Sequence, residues 1–552
     1  MLERELKLHV PDAARADVEK SMRTLGAREE RLRAQYFDTR FRELAQAGVT
    51  LRLRREGGQW MQTAKAPGPD EISRIELNHP RPNASLDLAV YAGTVLEPVL
   101  AGLRRPLRVR FETDIVRLSL RQGSDTTEGV VELAYDHGVV RAGGLALAVC
   151  ELEFELLAGP VSAVFEAAQR WQQQYALILD LRSKAERGDR LVQHAAGDGV
   201  YNGRSRRAVA PDAASAKSAG TLPPPGESGL SIDPTAKCLL KPAQPEPVAL
   251  TAGMTPEQAY NACVAGCLGP VIRNATLLAG VDNAGADDAL QRRYVRQLRL
   301  GLRRLRTCWQ FFSKWVEPPP EARRLARYFR RLGVASDYHV LRFEIAPRLA
   351  RAGMPPLPLP KARTQHPPGH DPRAVAASRA FQACLLSLMA RQLATEAHAR
   401  PTHADTQTRP VQFSGRRGKA PARDLSALLG LRLQKWLRTF CREGRRFGEL
   451  PQEAQHDLRK KLKRLRYSIE FSESVLPADQ LNHVRTLLEP LQHAMGELND
   501  LYNAQVYYEA AARKQPAALF ALGWLKASQD HLKRQVQAAL DRLEAEARGA
   551  PG

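Results

Sequence analysis

At 552 residues the chain is long enough for two or more domains, each with its own core. Its 82 lysines and arginines stand against 60 aspartates and glutamates, a formal net charge of +22 that favours a polyanionic partner: nucleic acid, anionic membrane or polyphosphate. Aromatic residues at 6% offer few platforms for stacking single-stranded bases.

Glu3 to Leu8 alternates, with Glu3, Glu5 and Lys7 on one face of an extended segment and Leu6 and Leu8 on the other. A helix is expected over Asp12 to Leu25, opened by Pro11 and stopped at Gly26. A short strand at Ala34 to Phe37 precedes a hairpin, Leu51-Arg52-Leu53-Arg54 and Trp60 to Lys65, joined by Glu56-Gly57-Gly58-Gln59. Ile72 to Leu77 sets Arg74 and Glu76 on one side, and Leu86 to Leu103 has a helical pattern.

Strands resume at Leu107 to Leu120, Val130 to Tyr135 and Ala146 to Leu156, with Asp136-His137-Gly138 as a turn after the second. A helix over Val161 to Tyr175 leads to Ser183-Lys184-Ala185-Glu186-Arg187-Gly188. These strands suffice to close a barrel. Some carry acids (Glu151, Glu153, Glu155) and some carry arginines (Arg52, Arg54, Arg108, Arg110). Placed around a common interior, the carboxylates would hold hard cations and the arginines an oxyanion.

The ordered set Glu3-Arg4-Glu5-Leu6-Lys7 (ExExK), Tyr36-Phe37-Asp38-Thr39, Gly48 to Arg54, Trp60 to Lys65, Arg74-Ile75-Glu76, the acidic strand 151–155 and Ser183 to Gly188 resembles the CYTH domain, or triphosphate tunnel metalloenzyme family. The resemblance implies an α+β domain built on an eight-stranded antiparallel tunnel that grips a triphosphate. Glu3, Glu5, Asp136, Glu151 and Glu153 would hold Mg²⁺ or Mn²⁺, with Glu155 in or behind that shell. Lys7, Arg52, Arg54, Lys65 and Lys184 would bind phosphate oxygens, with Glu3, Glu5 and Lys7 as the catalytic core. Many family members carry an arginine just after the threonine of Phe111-Glu112-Thr113-Asp114; here Arg110 or Arg117 would supply that charge.

From about Gly197 to Leu250 the composition turns to Ala, Pro, Gly and Ser, giving an expected flexible linker over 197–252 between a first domain at 1–196 and a second at 253–548. The second domain has a helical period throughout and repeats itself: Arg296 to Arg306 aligns with His456 to Arg466, and Leu332 to Asp337 with Met495 to Asp500. Two helical bundles are expected, at about 253–395 and 424–548, with Pro-rich insertions at about 352–373 and 400–422. Arg292, Arg296, Arg299, Arg303 and Arg306 step by four and three along one helix face, as do His456, Arg459, Lys463 and Arg466. Like charges so spaced repel, and an anion is the natural offset.

This repeat resembles the CHAD domain, a helical module often fused to CYTH. The resemblance implies inorganic polyphosphate binding by Arg296, Arg299, Arg303, Arg306, His456, Arg459, Lys463, Arg464 and Arg466. In the first copy Arg296 stands where that family usually has histidine, and Ser336 and His339 replace the usual Arg and Asp near Asp337.

The combined expectation is a hydrolase that cleaves inorganic triphosphate to pyrophosphate and phosphate and recruits polyphosphate. The alternatives are a catalytically weak polyphosphate-binding or localisation protein, or a thiamine triphosphatase or adenylate cyclase of the same tunnel family. A nucleic-acid binder fits the charge, but no base-reading motif supports it. Seven scattered cysteines without CxxC point to reduced thiols rather than a zinc site or disulfide framework. The charged N-terminus followed by no long apolar run points to a cytoplasmic protein without membrane insertion.

Overall fold

The computed structural model describes residues 2–123, 129–196, 241–283, 286–357, 359, 369–399 and 424–549. The chain forms two compact units, one of Met1–Lys241 with Gly280–Asp287 and one of Pro242–Ala279 with Asp288–Gly552. Most of the expected linker, 197–240, lies outside the described residues, as do part of the first Pro-rich insertion and all of the second.

The first unit is an antiparallel barrel. Its strands are β1 (Leu2–His9), β2 (Arg28–Asp38), β3 (Thr50–Glu56), β4 (Gln59–Pro67), β5 (Ser73–Arg81), β6 (Arg108–Gln122), β7 (Val130–Ala142) and β8 (Leu145–Ala158). They run in the order β5-β4-β3-β2-β6-β7-β8-β1 and close through β1 onto β5, while the two-residue β9 (Ile178–Leu179) adds to β1. The first strand makes the closure by changing partner along its length: Leu2, Glu3 and Arg4 pair with β5, and Glu5 to His9 pair with β8.

Strand alternation divides the apolar side chains from the charged ones. Leu6 and Leu8 of β1 are fully buried, and α4 (Ser162–Tyr175) packs on β1 and β8 with Val164, Phe165 and Trp171. A second cluster of Leu44, Val49, Leu51, Ala64, Tyr91, Leu96 and Leu100 covers β3 and β4. It draws on the short helices α2 (Glu43–Gln46) and α3 (Glu97–Ala101). Each fully buried leucine contributes about 2 kcal/mol. The helix expected over 86–103 is instead a 3₁₀ turn (Leu88–Tyr91) and α3, separated at Gly93, whose φ of +74° no helix accommodates.

The hairpin between β3 and β4 turns on Gly57 and Gly58, both at positive φ as a two-residue loop requires. Asp136-His137-Gly138 is not a turn but the middle of β7. A Cβ at Gly138 would lie 2.1 Å from the Asp114 carbonyl oxygen, so the glycine permits a close strand approach there. The turn falls at Gly143-Gly144. Ser183 caps α5 (Lys184–Ala195), its hydroxyl accepting from the Glu186 amide.

The second unit is helical, with α6 (Pro256–Ala279), α7 (Asp288–Phe312), α8 (Glu321–Val340), α9 (Ala346–Arg351), α10 (Pro372–Ala377) and α11 (Arg379–Ala399) in the first copy. The second copy has α12 (Leu425–Gly444), α13 (Gln452–Ser472), α14 (Ala478–Ala512) and α15 (Ala518–Gly549). A Cβ at Gly301 would lie 2.6 Å from Val271 Cγ2, so α6 and α7 pack closely. By length and composition α6 alone among the described helices could cross a membrane, but most of it is buried in this unit. The end of the expected linker also packs here, with Leu250 buried and the Asn274 side chain pairing both backbone groups of Ala243. The six described cysteines are free and buried.

Candidate active site

The pairing register assembles the charges inside the barrel. Across β6, β7 and β8 it sets Arg117 opposite Asp136 and Asp136 opposite Glu151, and across β1 and β8 it sets Lys7 opposite Glu153. Oxygens of Asp136, Glu151 and Glu153 all lie within 4.8 Å of one another, and all three residues are buried. Lys184 at the start of α5 places Nζ 2.6 Å from Asp136, 2.6 Å from Glu151 and 2.9 Å from Glu153. Arg117 donates twice to Asp136, both at 2.7 Å, and once to Glu153 at 2.5 Å. Lys7 bridges Glu5 at 2.6 Å and Glu153 at 3.1 Å.

Burial works against every one of these charges, and the neighbours decide which survive. Lys184 is held well above its ordinary pKa because three carboxylates outweigh its desolvation. Glu153 sits well below the usual carboxylate range because Lys184, Lys7 and Arg117 outweigh its own. Glu151 is displaced upward, by burial first. Burial and Glu5 raise Glu155 to about 7.

Glu3 and Glu5 lie outside the buried trio. Lys65 reaches Glu3 at 2.6 Å and Glu76 at 3.0 Å. Burial and the charge of Glu5 lift Glu3 to about 8, whereas Lys65 and a hydrogen bond from Glu3 bring Glu76 down to about 2 against its own burial. The pair thus separates, Glu3 towards the neutral form and Glu76 towards the ionised one. In the sequence Glu76 shares one side of its strand with Arg74, without an assigned role.

Arg52, Arg54 and Arg117 are mutual charge neighbours, all half-buried. Tyr36 and Glu76, the latter 3.9 Å away, keep Arg52 charged despite burial. Arg54 is pulled below its ordinary range by burial, Arg52 and Arg117, with Glu56 as its compensating carboxylate. Arg110 does not join them: it sits where the β2–β6 register shifts, and its charged neighbours are Arg108, Asp38, Asp189 and Arg42. Arg117 is therefore the β6 arginine that reaches the cluster, and Arg110 is not brought to it. Asp38 of the Tyr36-Phe37-Asp38-Thr39 motif has a structural task, accepting from the amides of Thr39, Leu44 and Ala45 to start α2.

In the helical unit the repeat brings corresponding residues together. Arg299, Arg303, Arg459 and Lys463 of α7 and α13 interact with one another and with Asp337 of α8 and Asp500 of α14. Burial and Arg303 depress Lys463 to about 6, and Arg299 falls to about 10. Arg306 and Arg464 neighbour each other and both are lowered, burial leading. Arg296 is exposed; Arg466 is also exposed and pairs with Glu470 at 3.0 Å. His456 bonds Asn499 at 2.9 Å beside a hollow of about 670 Å³ bordered by Arg459, Lys460 and Tyr502. Part of the arginine stripe also packs on rings, with Arg299, Arg303 and Arg306 all within 5.4 Å of the Phe329 centroid.

Residues 1–188 match the family model of the CYTH domain, and residues 277–509 match that of the CHAD domain. The chain joins a CYTH domain to a CHAD domain. Its structure is similar to a CHAD domain from the plant Ricinus communis, at 21% identity over 56% of this chain and 97% of that one, with a TM-score of 0.42. It is also similar to a putative adenylate cyclase from Bacillus halodurans, at 18% identity over 34% of this chain and 96% of that one, TM-score 0.26. A putative adenylyl cyclase from Hippeastrum with a dominant triphosphatase activity is 15% identical, over 36% of this chain and 96% of that one, TM-score 0.24.

The CYTH trio fits a divalent metal. Three buried carboxylates in mutual reach are the hard oxygen donors that Mg²⁺ and Mn²⁺ prefer, and the histidines and thiols of softer sites are not among them.

Proposed function

We propose that the CYTH barrel is a metal-dependent hydrolase that cleaves inorganic triphosphate to pyrophosphate and phosphate, and that the CHAD unit binds inorganic polyphosphate. The observation that carries the first half is the pairing, in one barrel interior, of a buried carboxylate trio with the half-buried arginines 52, 54 and 117, whose mutual repulsion leaves Arg54 short of compensating charge. A bound triphosphate relieves that repulsion. Asp136, Glu151 and Glu153 would hold Mg²⁺ or Mn²⁺, with Glu3 and Glu5 further along the same wall. The metal would supply charge neutralisation on the phosphate oxygens.

The protein's own groups do the rest. Arg52, Arg54 and Arg117 orient the phosphates and counter the charge that develops on the leaving pyrophosphate, while Lys7, Lys65 and Lys184 bind phosphate oxygens and hold the carboxylates in place. No covalent nucleophile is required, because water attack on the terminal phosphorus needs only positioning and charge stabilisation. The polyphosphate half rests on Arg299, Arg459 and Lys463, whose depressed pKa values mark a site that gains from an arriving polyanion. Phosphate release from inorganic triphosphate, thiamine triphosphate and ATP with either metal tests the barrel, with cyclic product from ATP identifying a cyclase instead. Polyphosphate binding in competition with duplex and single-stranded DNA at matched salt tests the CHAD unit.

A further inference from the structure

Behind the carboxylate trio lies a group of four charges that the triphosphatase reading does not use. Arg182 and Arg187 are among the most buried large side chains of the molecule, each 2% exposed. Asp180 accepts two hydrogen bonds from the Arg182 guanidinium, at 2.8 and 2.6 Å, and a third from its backbone amide. The partner of Arg187 comes from far along the chain, in the segment 280–287 that folds with the barrel unit. Asp282 Oδ1 accepts from Arg187 Nη2 at 2.9 Å, and its Oδ2 lies 2.8 Å from Arg187 Nε and 3.1 Å from Arg182 Nη1. The remaining nitrogen, Arg187 Nη1, donates to Glu151 Oε2 at 3.1 Å, while Glu151 Oε1 faces Lys184.

We propose that Asp282 is a positioning residue for the metal site: by occupying the Nε and Nη2 edge of Arg187, it aims Nη1 at one oxygen of Glu151 and leaves the other oxygen to the metal. The inference rests on the metal-dependent reading of the barrel. Two physical effects act together. The planar guanidinium has fixed donor directions, so a carboxylate on one edge sets where the other points. The charges also pair off, Arg182 with Asp180 and Arg187 with Asp282, so Arg187 draws less on the charge of Glu151; without Asp282, Arg187 would compete more strongly with the metal for Glu151. Asp282 holds a left-handed backbone at φ +52°, a conformation that aspartate and asparagine tolerate well, so asparagine retains the local fold.

The test is Mn²⁺ binding to the full-length protein without substrate, measured by calorimetry. Asp282→Asn should weaken Mn²⁺ by about 10- to 100-fold, the usual cost of losing an outer partner of a metal ligand. In an Arg187→Met background the same substitution should leave Mn²⁺ affinity unchanged, because Asp282 reaches Glu151 only through that guanidinium. Wild-type affinity in Asp282→Asn would overturn the proposal, as would a further loss when Asp282→Asn is added to Arg187→Met. The second comparison stands even if the single Asn variant fails to fold, because neither of its members carries the Arg187 charge. A wild-type chain that binds Mn²⁺ but releases no phosphate from triphosphate would contradict the proposed activity and leave this test in force; one that takes up no Mn²⁺ would remove the metal reading and the proposal with it.

Discussion

The two units handle positive charge in opposite ways. In the barrel nearly every cation near the trio has its carboxylate, Lys184 touching three and Lys65 and Arg117 two each, so the interior is held in place before any ligand arrives. In the helical unit Arg299, Arg303, Arg459 and Lys463 crowd around Asp337 and Asp500, and Lys463 is depressed to about 6. On the proposed reading, the barrel is organised for a small ligand bound with a metal, and the helical unit for a polyanion that brings its own compensating charge. Barrel activity should accordingly depend on single residues, and helical binding on salt.

The sharpest break falls on Glu153, which contacts Lys7, Lys184 and Arg117. Glu153→Gln should lower phosphate release from triphosphate by on the order of 10²- to 10³-fold, as loss of one preorganised charge at an active site does. Polyphosphate binding by the same variant, followed by fluorescence anisotropy, should be unchanged. Next comes Arg54→Ala, which removes a guanidinium that lacks full compensation. Hydrogen bonds to charged groups contribute about 1.5–3 kcal/mol, so the KM for triphosphate should rise about 10- to 100-fold.

In the helical unit Lys463→Met should weaken polyphosphate binding and reduce the slope of log affinity against log salt by about one, leaving triphosphate turnover untouched. Its effect on stability has the opposite sign. The folded pKa near 6 lies below the ordinary 10.5, so between those values the unfolded chain binds a proton that the folded chain does not. The destabilisation is complete below pH 6 and fades as pH rises towards 10.5. Lys463→Met should therefore raise the melting temperature at pH 7 and flatten its rise with pH. Polyphosphate binding to the wild type above pH 6 should take up a proton, measurable as a buffer-dependent heat.

The smallest effect is expected at Arg466. Its exposed pair with Glu470 belongs to a class worth at most about 1 kcal/mol, so Arg466→Ala should change stability and polyphosphate affinity only a few-fold, as read by melting and anisotropy.

Much of this difference was legible in the sequence. Alternation placed Glu3, Glu5 and Lys7 on one face, and the four-and-three spacing of arginines and its repeat marked the helical stripes. Other features depend on register and distance. Gly138 reads as a turn residue because glycine marks turns, yet here it serves strand approach at Asp114. Arg110 and Arg117 are equivalent candidates until the β2–β6 shift separates them. Asp282 has no local pattern at all, since its partners lie about a hundred residues earlier and only folding brings them together.

The central claim is tested most directly by phosphate release from inorganic triphosphate, with Mg²⁺ or Mn²⁺, by the full-length protein beside a Glu3→Gln and Glu5→Gln double variant. Metal-dependent release that favours inorganic triphosphate over ATP and thiamine triphosphate, and is lost in the variant, is the predicted result. No release from any of the three by a protein that binds polyphosphate tightly would contradict it and leave the barrel as part of a binding protein.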